Sequence, residues 1–247
     1  MSNDINKLRN RLEQWLADYI STTDLTGFVV GVSGGIDSAL CAKLGCIAAQ
    51  KTGKTIKALS LPISYGGRVD GRDMSGFYEK HQIPSETFDL SAIYHAFLEL
   101  MPVTDLVIRS NIRTRLRATA LYTYANERKL LVLGTMNRLE FAIGYFQKQA
   151  AIGDILPLAR LSKGTIRDLG ASYGLPEELI QRKASGCVHG QNAEDEWGIP
   201  EVTLDRVVTS RWEPARVEGV EPEIISKVQA LFEKTKHKRM FPPIFEP

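Results

Sequence analysis

Three observations predict an α/β fold: a doubly wound, mostly parallel sheet flanked by helices, with a helical C-terminal part. Short apolar runs at Phe28-Val29-Val30, Ile56–Leu61 and Leu130–Leu133 have the length and branching of buried strands. Segments with helical spacing separate them, the alternation that builds a parallel sheet covered on both faces. Beyond about residue 160 the strand signals fade and amphipathic helical patterns dominate.

Leu8, Leu12, Trp15, Leu16 and Tyr19 recur at helical spacing and predict a helix over 4–20. A strand at 27–32 leads into a helix over 38–50. The second strand, 56–61, is stopped by Pro62, and the polar, Gly-rich stretch 63–72 reads as a loop. A helix near 73–81, a short strand at 85–88 and a helix over 91–100 follow. A long helix covers 106–128, and the fourth strand, 130–133, ends at Gly134-Thr135. Further helices are expected at 162–173, 176–183, 203–209 and 222–235. No linker, repeat or low-complexity tract divides residues 1–247, which read as a single domain.

A net charge of +2 argues against a general nucleic-acid or membrane-binding surface. No apolar run approaches the ~20 residues of a membrane span, and Met1–Ile5 lacks the basic and apolar regions of a signal peptide. Three cysteines, an odd number without metal-ligand spacing, predict free thiols and a cytoplasmic location. Cys41 and Cys46 fall on the helix after the first strand, where small buried hydrophobes are expected.

The most specific segment is Gly31-Val32-Ser33-Gly34-Gly35-Ile36-Asp37-Ser38, between the first strand and its helix. Such a turn exposes backbone N–H groups at the positive end of the helix dipole, which suits phosphate. Asp37 would repel phosphate unless a divalent cation lay between them, so the turn implies a nucleotide with Mg²⁺. No Lys follows the glycines, which excludes the Walker A pattern. The S-G-G-x-D-S pattern resembles the loop of the ATP-pyrophosphatases, which cleave ATP between the α- and β-phosphates. A tight turn with no ligand is the alternative. Beside such a site, the loop thiol Cys187 could carry sulfur, a transfer chemistry distinct from adenylation.

A second motif, Gly134-Thr135-Met136-Asn137-Arg138-Leu139-Glu140, begins where the fourth strand ends. Thr135 can hydrogen-bond a ribose or phosphate. Glu140 is a hard oxygen donor suited to Mg²⁺ opposite Asp37, or simply a helix-capping acid. Arginines 109, 113 and 117 share one stripe of the long helix, and Asn111 and Arg115 share another, roughly opposite. One stripe is expected to face a ligand and the other to be solvated or ion-paired.

Together the two motifs resemble the ammonia-dependent NAD synthetases. Tyr145-Phe146-Gln147-Lys148, Asp154–Leu158, Leu161-Ser162-Lys163, Gly190-Gln191, Glu194–Gly198 and His237-Lys238-Arg239 follow that family's order. Asn111, Arg115 and Arg117 match its N-x-x-x-R-x-R segment. The resemblance implies that Gly31, Val32, Ser33, Gly34, Gly35, Ile36, Asp37 and Ser38 bind ATP phosphates and that Asp37 and Glu140 bind Mg²⁺. It implies that Thr135, Lys163 and Ser185 contact ATP. Arg115, Lys148, Asp154, His237 and Lys238 would contact nicotinate adenine dinucleotide (deamido-NAD). Family members are homodimers, with the acceptor near the subunit interface. No glutaminase domain is expected, so ammonia would be the nitrogen donor. Asp37 and Lys163 would carry the catalysis: Mg²⁺ and Lys163 would offset charge on the departing pyrophosphate.

Several segments depart from the family pattern, and they cluster on the acceptor side. Lys148 to Asp154 spans six residues rather than seven, and the intervening Gln149–Ile152 lacks the expected acid and glycine. The 184–201 region lacks a usual proline and a carboxylate, and a Tyr common there is replaced near Glu201. Besides NAD synthesis, a ligase of the same type amidating a different carboxylate is expected from this pattern. A nucleotide-binding regulator that has lost catalysis is a third possibility.

Overall fold

The computed structural model describes residues 2–148, 150, 153–183, 186, 192–210, 217 and 219–245. It opens with helix α1 (Ser2–Ser21), strand β1 (Gly27–Gly31), helix α2 (Ile36–Thr52) and strand β2 (Thr55–Ser60). A hairpin of β3 (Ile63–Tyr65) and β4 (Arg68–Asp70) follows, then α3 (Ser75–His81), β5 (Ser85–Thr87) and α4 (Ser91–Leu100). The long helix α5 (Leu106–Arg128) leads into β6 (Leu130–Val132) and α6 (Arg138–Ile143). The C-terminal part is helical: α7 (Lys163–Ser172), α8 (Glu177–Ile180), α9 (Ala193–Trp197), α10 (Glu201–Thr209) and α11 (Pro222–Lys234), closed by a 3₁₀ turn over Lys236–Arg239.

The main sheet has the order β5-β2-β1-β6 and is parallel throughout. In register, Val29 of β1 lies between Lys57 of β2 and Val132 of β6. The chain grows outward from β1 through β2 to β5, then returns to place β6 on the other side of β1. That reversal separates the loops that follow β1 and β6, and a crevice at the carboxyl ends of the strands results. Both sequence motifs lie in those two loops.

Helix α2 is apolar on nearly every side because it is covered on both: β1 and β2 lie under it, and α1 and α7 lie over it. Leu16, Ile20, Phe28, Leu40, Leu44 and Ile166 are fully buried in this layer. On the opposite face, Tyr124 and Ala125 of α5 pack against Val29, Leu59 and Val132. A further cluster joins α6 to the C-terminal helices through Leu139, Ile143, Trp197, Leu204, Val207 and Val228.

Three details differ from expectation. Residues 63–72 contain the antiparallel hairpin β3–β4, with Ile63 opposite Asp70 and Tyr65 opposite Arg68. The turn is Gly66-Gly67, with φ values of 55° and 73°, the positive pair that a two-residue hairpin turn demands. Its strands are short and polar, so their composition mimics a loop. Helix α6 was legible only as a capping acid after a turn. Asn137 accepts from the N–H groups of Leu139 and Glu140, and Glu140 accepts from the N–H of Asn137, a complete capping box. The helix expected over 176–183 is the single turn Glu177–Ile180.

Candidate active site

The 31–38 loop is held open by its own side chains. Ser38 Oγ accepts from the N–H of Ser33 (3.2 Å) and donates to the carbonyl of Gly35 (3.0 Å). Gly35 then starts α2 in an extended conformation without a side-chain cap, so the first N–H groups of the helix are left to a ligand. Asp37 sits in the first turn. Its Oδ2 accepts from Lys163 Nζ at 2.5 Å, whereas its Oδ1 is buried with no hydrogen-bond partner among the described residues. Lys163, at the first position of α7, is only 3% exposed. Burial disfavours its charge, but the carboxylates of Asp37 and Glu140 outweigh that and hold the ammonium above its ordinary pKa.

Glu140 completes this group from the loop after β6. Loss of solvation, and then the charge of Asp37, push its carboxyl up to about 7 despite the nearby Lys163. Two carboxylates competing for one ammonium, one of them with an orphaned oxygen, are a hard-oxygen donor set short of cationic charge. A Mg²⁺ ion fits it: that ion needs one or two carboxylates and takes its other ligands from phosphates and water. Among the described residues no cluster of three or more His, Cys, Asp or Glu forms an all-protein cage. Glu140 is therefore both the capping acid of α6 and a candidate ligand.

A cleft of about 940 Å³ opens over the carboxyl ends of the strands. Gly31, Val32, Ser33 and Thr135 line it beside Leu61 and Tyr122. A second cleft of about 420 Å³ is continuous with it through Ala118, Tyr122 and Ala150, and is lined by Arg115 and Lys148. Arg115 is exposed there, its Nη1 3.4 Å from the carbonyl of Asn111. Asp154 stands at the edge of β6. Its Oδ2 accepts from the N–H of Val132 (2.8 Å) and its Oδ1 from the Tyr122 hydroxyl (3.2 Å). Burial and the Asp154 carboxylate push that phenol up to about 12, so it stays a donor. Gly153 lets the chain come this close: its φ is 79°, and a Cβ there would meet the Gly134 nitrogen at 2.5 Å.

The arginine stripes of α5 divide cleanly. Arg113 and Arg117 turn inward to Asp70 of the hairpin (3.3 and 3.1 Å), and Arg113 also stacks over Tyr65. Arg117 donates further to the carbonyls of Leu61 and Asp70. Arg109 bonds the carbonyl of Val103. Arg115, on the other stripe, faces the second cleft with Lys148.

At the C-terminal end, Lys148 Nζ donates to the His237 carbonyl at 2.7 Å, and Lys238 Nζ donates to the carbonyls of Gly144 and Phe146. Arg239 donates to the carbonyls of Phe141 and Ala142 at the end of α6. The basic run thus satisfies orphaned carbonyls where the helix dipole is negative. Ser185 and Cys187 lie outside the described residues. Cys41 and Cys46 are buried free thiols, and burial pushes both up. Sequence reasoning missed Arg72 and Arg182, which meet the loop from 38 and 148 residues away in the chain; neither belongs to a local motif.

Residues 8–242 match the model of the NAD synthase family. The NH₃-dependent NAD⁺ synthetase of Mannheimia succiniciproducens is 34% identical, over 94% of this chain and 92% of its own. That of Methanosarcina mazei is 33% identical, over 98% and 99%. Among solved structures, NMN synthetase from Francisella tularensis superposes with a TM-score of 0.83 at 30% identity, covering 97% of this chain and 98% of that one. The NH₃-dependent NAD synthetase of Campylobacter jejuni, 24% identical, shares the fold with a TM-score of 0.80 over 98% and 99%. With the strand-end loops, the crevice and a near full-length match in agreement, this chain belongs to the NAD synthase family.

Proposed function

We propose that this chain is an ammonia-dependent NAD synthetase, which uses ATP to convert the carboxylate of deamido-NAD into the amide of NAD and releases AMP and pyrophosphate. The observation that carries this reading is the Lys163–Asp37 pair at the mouth of the 31–38 loop, with Glu140 alongside. A carboxylate is a poor electrophile, so one of its oxygens first attacks the α-phosphorus of ATP and displaces pyrophosphate. Ammonia then attacks the acyl carbon, and AMP leaves. The loop N–H groups and the first turn of α2 hold the phosphates in line, and the Lys163 ammonium meets the negative charge that grows on the leaving group. Asp37 and Glu140 would hold Mg²⁺, which supplies further charge neutralisation when bound. The chain needs no side-chain nucleophile for either step.

Thr135 sits where it can reach the nucleotide, and Arg115, Lys148 and Asp154 border the adjoining cleft, where the acceptor is expected. Ser185 is assigned to ATP on family likeness alone. His237 and Lys238 reach this region through the 3₁₀ turn, and Lys238 serves the acceptor by fixing the 144–148 segment. We also propose a homodimer in the cytoplasm. Ile93, Leu100 and Met101 of the α4 region and Leu106, Val107 and Ile108 of α5 are each at least 39% exposed, apolar side chains that suit burial against a second copy. Among the described residues no helix is long and apolar enough to cross a membrane.

A second reading has its own support. The departures at 149–153 and 184–201 fall on the acceptor side, and the Francisella tularensis structure, similar over nearly the whole chain, is an NMN synthetase. On this reading the acceptor is nicotinate mononucleotide, with the same chemistry at the ring carboxylate. One experiment separates the two: pyrophosphate and AMP release with Mg-ATP and ammonia, offered deamido-NAD or the mononucleotide. Turnover preferring the dinucleotide supports NAD synthesis, and preference for the mononucleotide replaces it. ATP binding without turnover on either acceptor would leave the regulator as the better account.

A further inference from the structure

Two arginines outside the sequence motifs described above meet at Gly34, in the middle of the phosphate loop. Arg182, just after α8, donates from Nη1 to the Gly34 carbonyl at 2.5 Å. Arg72, between β4 and α3, lays its stem against the other side of the same residue. A Cβ built on Gly34 would meet the Cβ, Cδ and Cγ of Arg72 at 2.9, 3.0 and 3.2 Å, so a side chain at position 34 would displace this contact. Arg72 is exposed and lines the main cleft, and it has no hydrogen-bond or ion-pair partner among the described residues. The neighbouring Asp73 is turned away to cap the N–H of Ser75. Arg182 has one carboxylate nearby, Glu178, at 4.0 Å and largely exposed.

The Arg182 guanidinium and the Arg72 stem thus meet at one glycine of the loop, close enough for the two positive charges to act on each other. Burial and then the charge of Arg72 lower the proton affinity of Arg182, the mark of like charges held together. An arrangement of this kind is relieved by an anion with several oxygens, and guanidinium forks match phosphate oxygens. We propose that Arg72 and Arg182 clamp the β- and γ-phosphates of ATP and retain the pyrophosphate as it leaves. This rests on the adenylating reading above and adds two residues to it. The loop and Lys163 act nearest the α–β bridge; the arginines act on the distal half, Arg72 through a guanidinium that makes no hydrogen bond or ion pair among the described residues.

The test is titration of inorganic pyrophosphate with Mg²⁺ into the whole protein, with AMP titrated in parallel. The variants are R72A, R182A and R182K. Each alanine variant is expected to weaken pyrophosphate binding by about tenfold or more, with AMP affinity changed by less than about twofold. R182K should fall between, since lysine keeps the charge and loses the fork. Arg182→Ala also removes the bond to Gly34, so Arg72→Ala, which removes no partner, is the deciding variant. Unchanged pyrophosphate affinity in R72A overturns the clamp. So does a parallel loss of AMP affinity, which would mean a collapsed loop. A parent protein that binds pyrophosphate but adenylates neither acceptor removes the functional reading and leaves the clamp standing. A parent that binds no pyrophosphate removes both.

Discussion

Lys163 and Glu13 show how the same physical elements, a buried charge and its partners, serve different ends. Lys163 is 3% exposed and faces Asp37 and Glu140, two acids with one cation between them. Replacing it with methionine keeps the volume and removes the charge proposed to meet the departing pyrophosphate. Lys163→Met is expected to lower kcat by about 10²–10³-fold, the usual loss when one preorganised electrostatic group is removed from a transition state. Single-turnover measurement of AMP formation checks this, and a change confined to KM would argue that Lys163 only binds. Glu13 has no such role. It is 6% exposed on α1, takes hydrogen bonds from Lys51 of α2 and the Tyr173 hydroxyl beyond α7, and pairs with Arg9. Burial pushes its carboxyl up, but those hydrogen bonds and charges prevail and hold it below its ordinary value of 4.5. A depressed pKa stabilises the fold above the unfolded value and loses that contribution as pH falls through the folded one. Glu13→Gln should therefore cost about 1–3 kcal/mol at neutral pH. It should also flatten the loss of stability below about pH 4.5, as read from urea melts across pH.

At the scale of elements, the hairpin β3–β4 ties the arginine stripe of α5 to the cleft. Asp70 binds both Arg113 and Arg117, and Arg113 is only 4% exposed, so truncating Asp70 leaves a buried guanidinium short of its counter-charge. Asp70 itself is 41% exposed, which reduces the penalty by solvent screening. Asp70→Ala is expected to destabilise by about 1–2 kcal/mol in chemical denaturation. It should also raise the KM for ATP, since Asp70, Gly71 and Arg72 all line the main cleft. Loss of stability with ATP binding intact would show that the hairpin is structural alone. This hairpin was illegible in the sequence for a physical reason. Strands of three residues carry too little apolar alternation to register, and only the Gly66-Gly67 turn betrayed them. The long helices and buried strands were legible because their periodicity extends over many residues, and so were the loop after β1 and the acid at position 140. The pairing of Arg72 with Arg182 was not, because the sheet and α8 bring those side chains together without any local pattern.

For the whole molecule, the strand order β5-β2-β1-β6 decides where everything chemical gathers. Sequence patterns supplied strands and helices in series, and the switch-point rule then placed a ligand between the ends of the first and fourth strands. The order of the strands itself depends on which helix covers which face, a packing outcome no single segment encodes. The same topology turns α5 outward at its start, so that Leu106, Val107 and Ile108 are exposed while Tyr124 and Ala125 at its other end are buried on the sheet. One helix therefore joins the sheet core, the second cleft at Arg115 and a set of exposed apolar side chains. If a second copy covers them, Val107→Glu places a charge in a desolvated interface, at a cost of several kcal/mol to association. Val107 is 51% exposed, so the monomer fold should tolerate the change. Sedimentation is expected to show a dimer for the parent and a monomer for the variant at micromolar concentration. Activity should fall with dimer content and recover as protein concentration rises, since α5 also carries Arg115 in the cleft proposed for the acceptor. A variant that sediments as the parent does would place the interface elsewhere, and a fully active monomer would detach the acceptor site from the assembly.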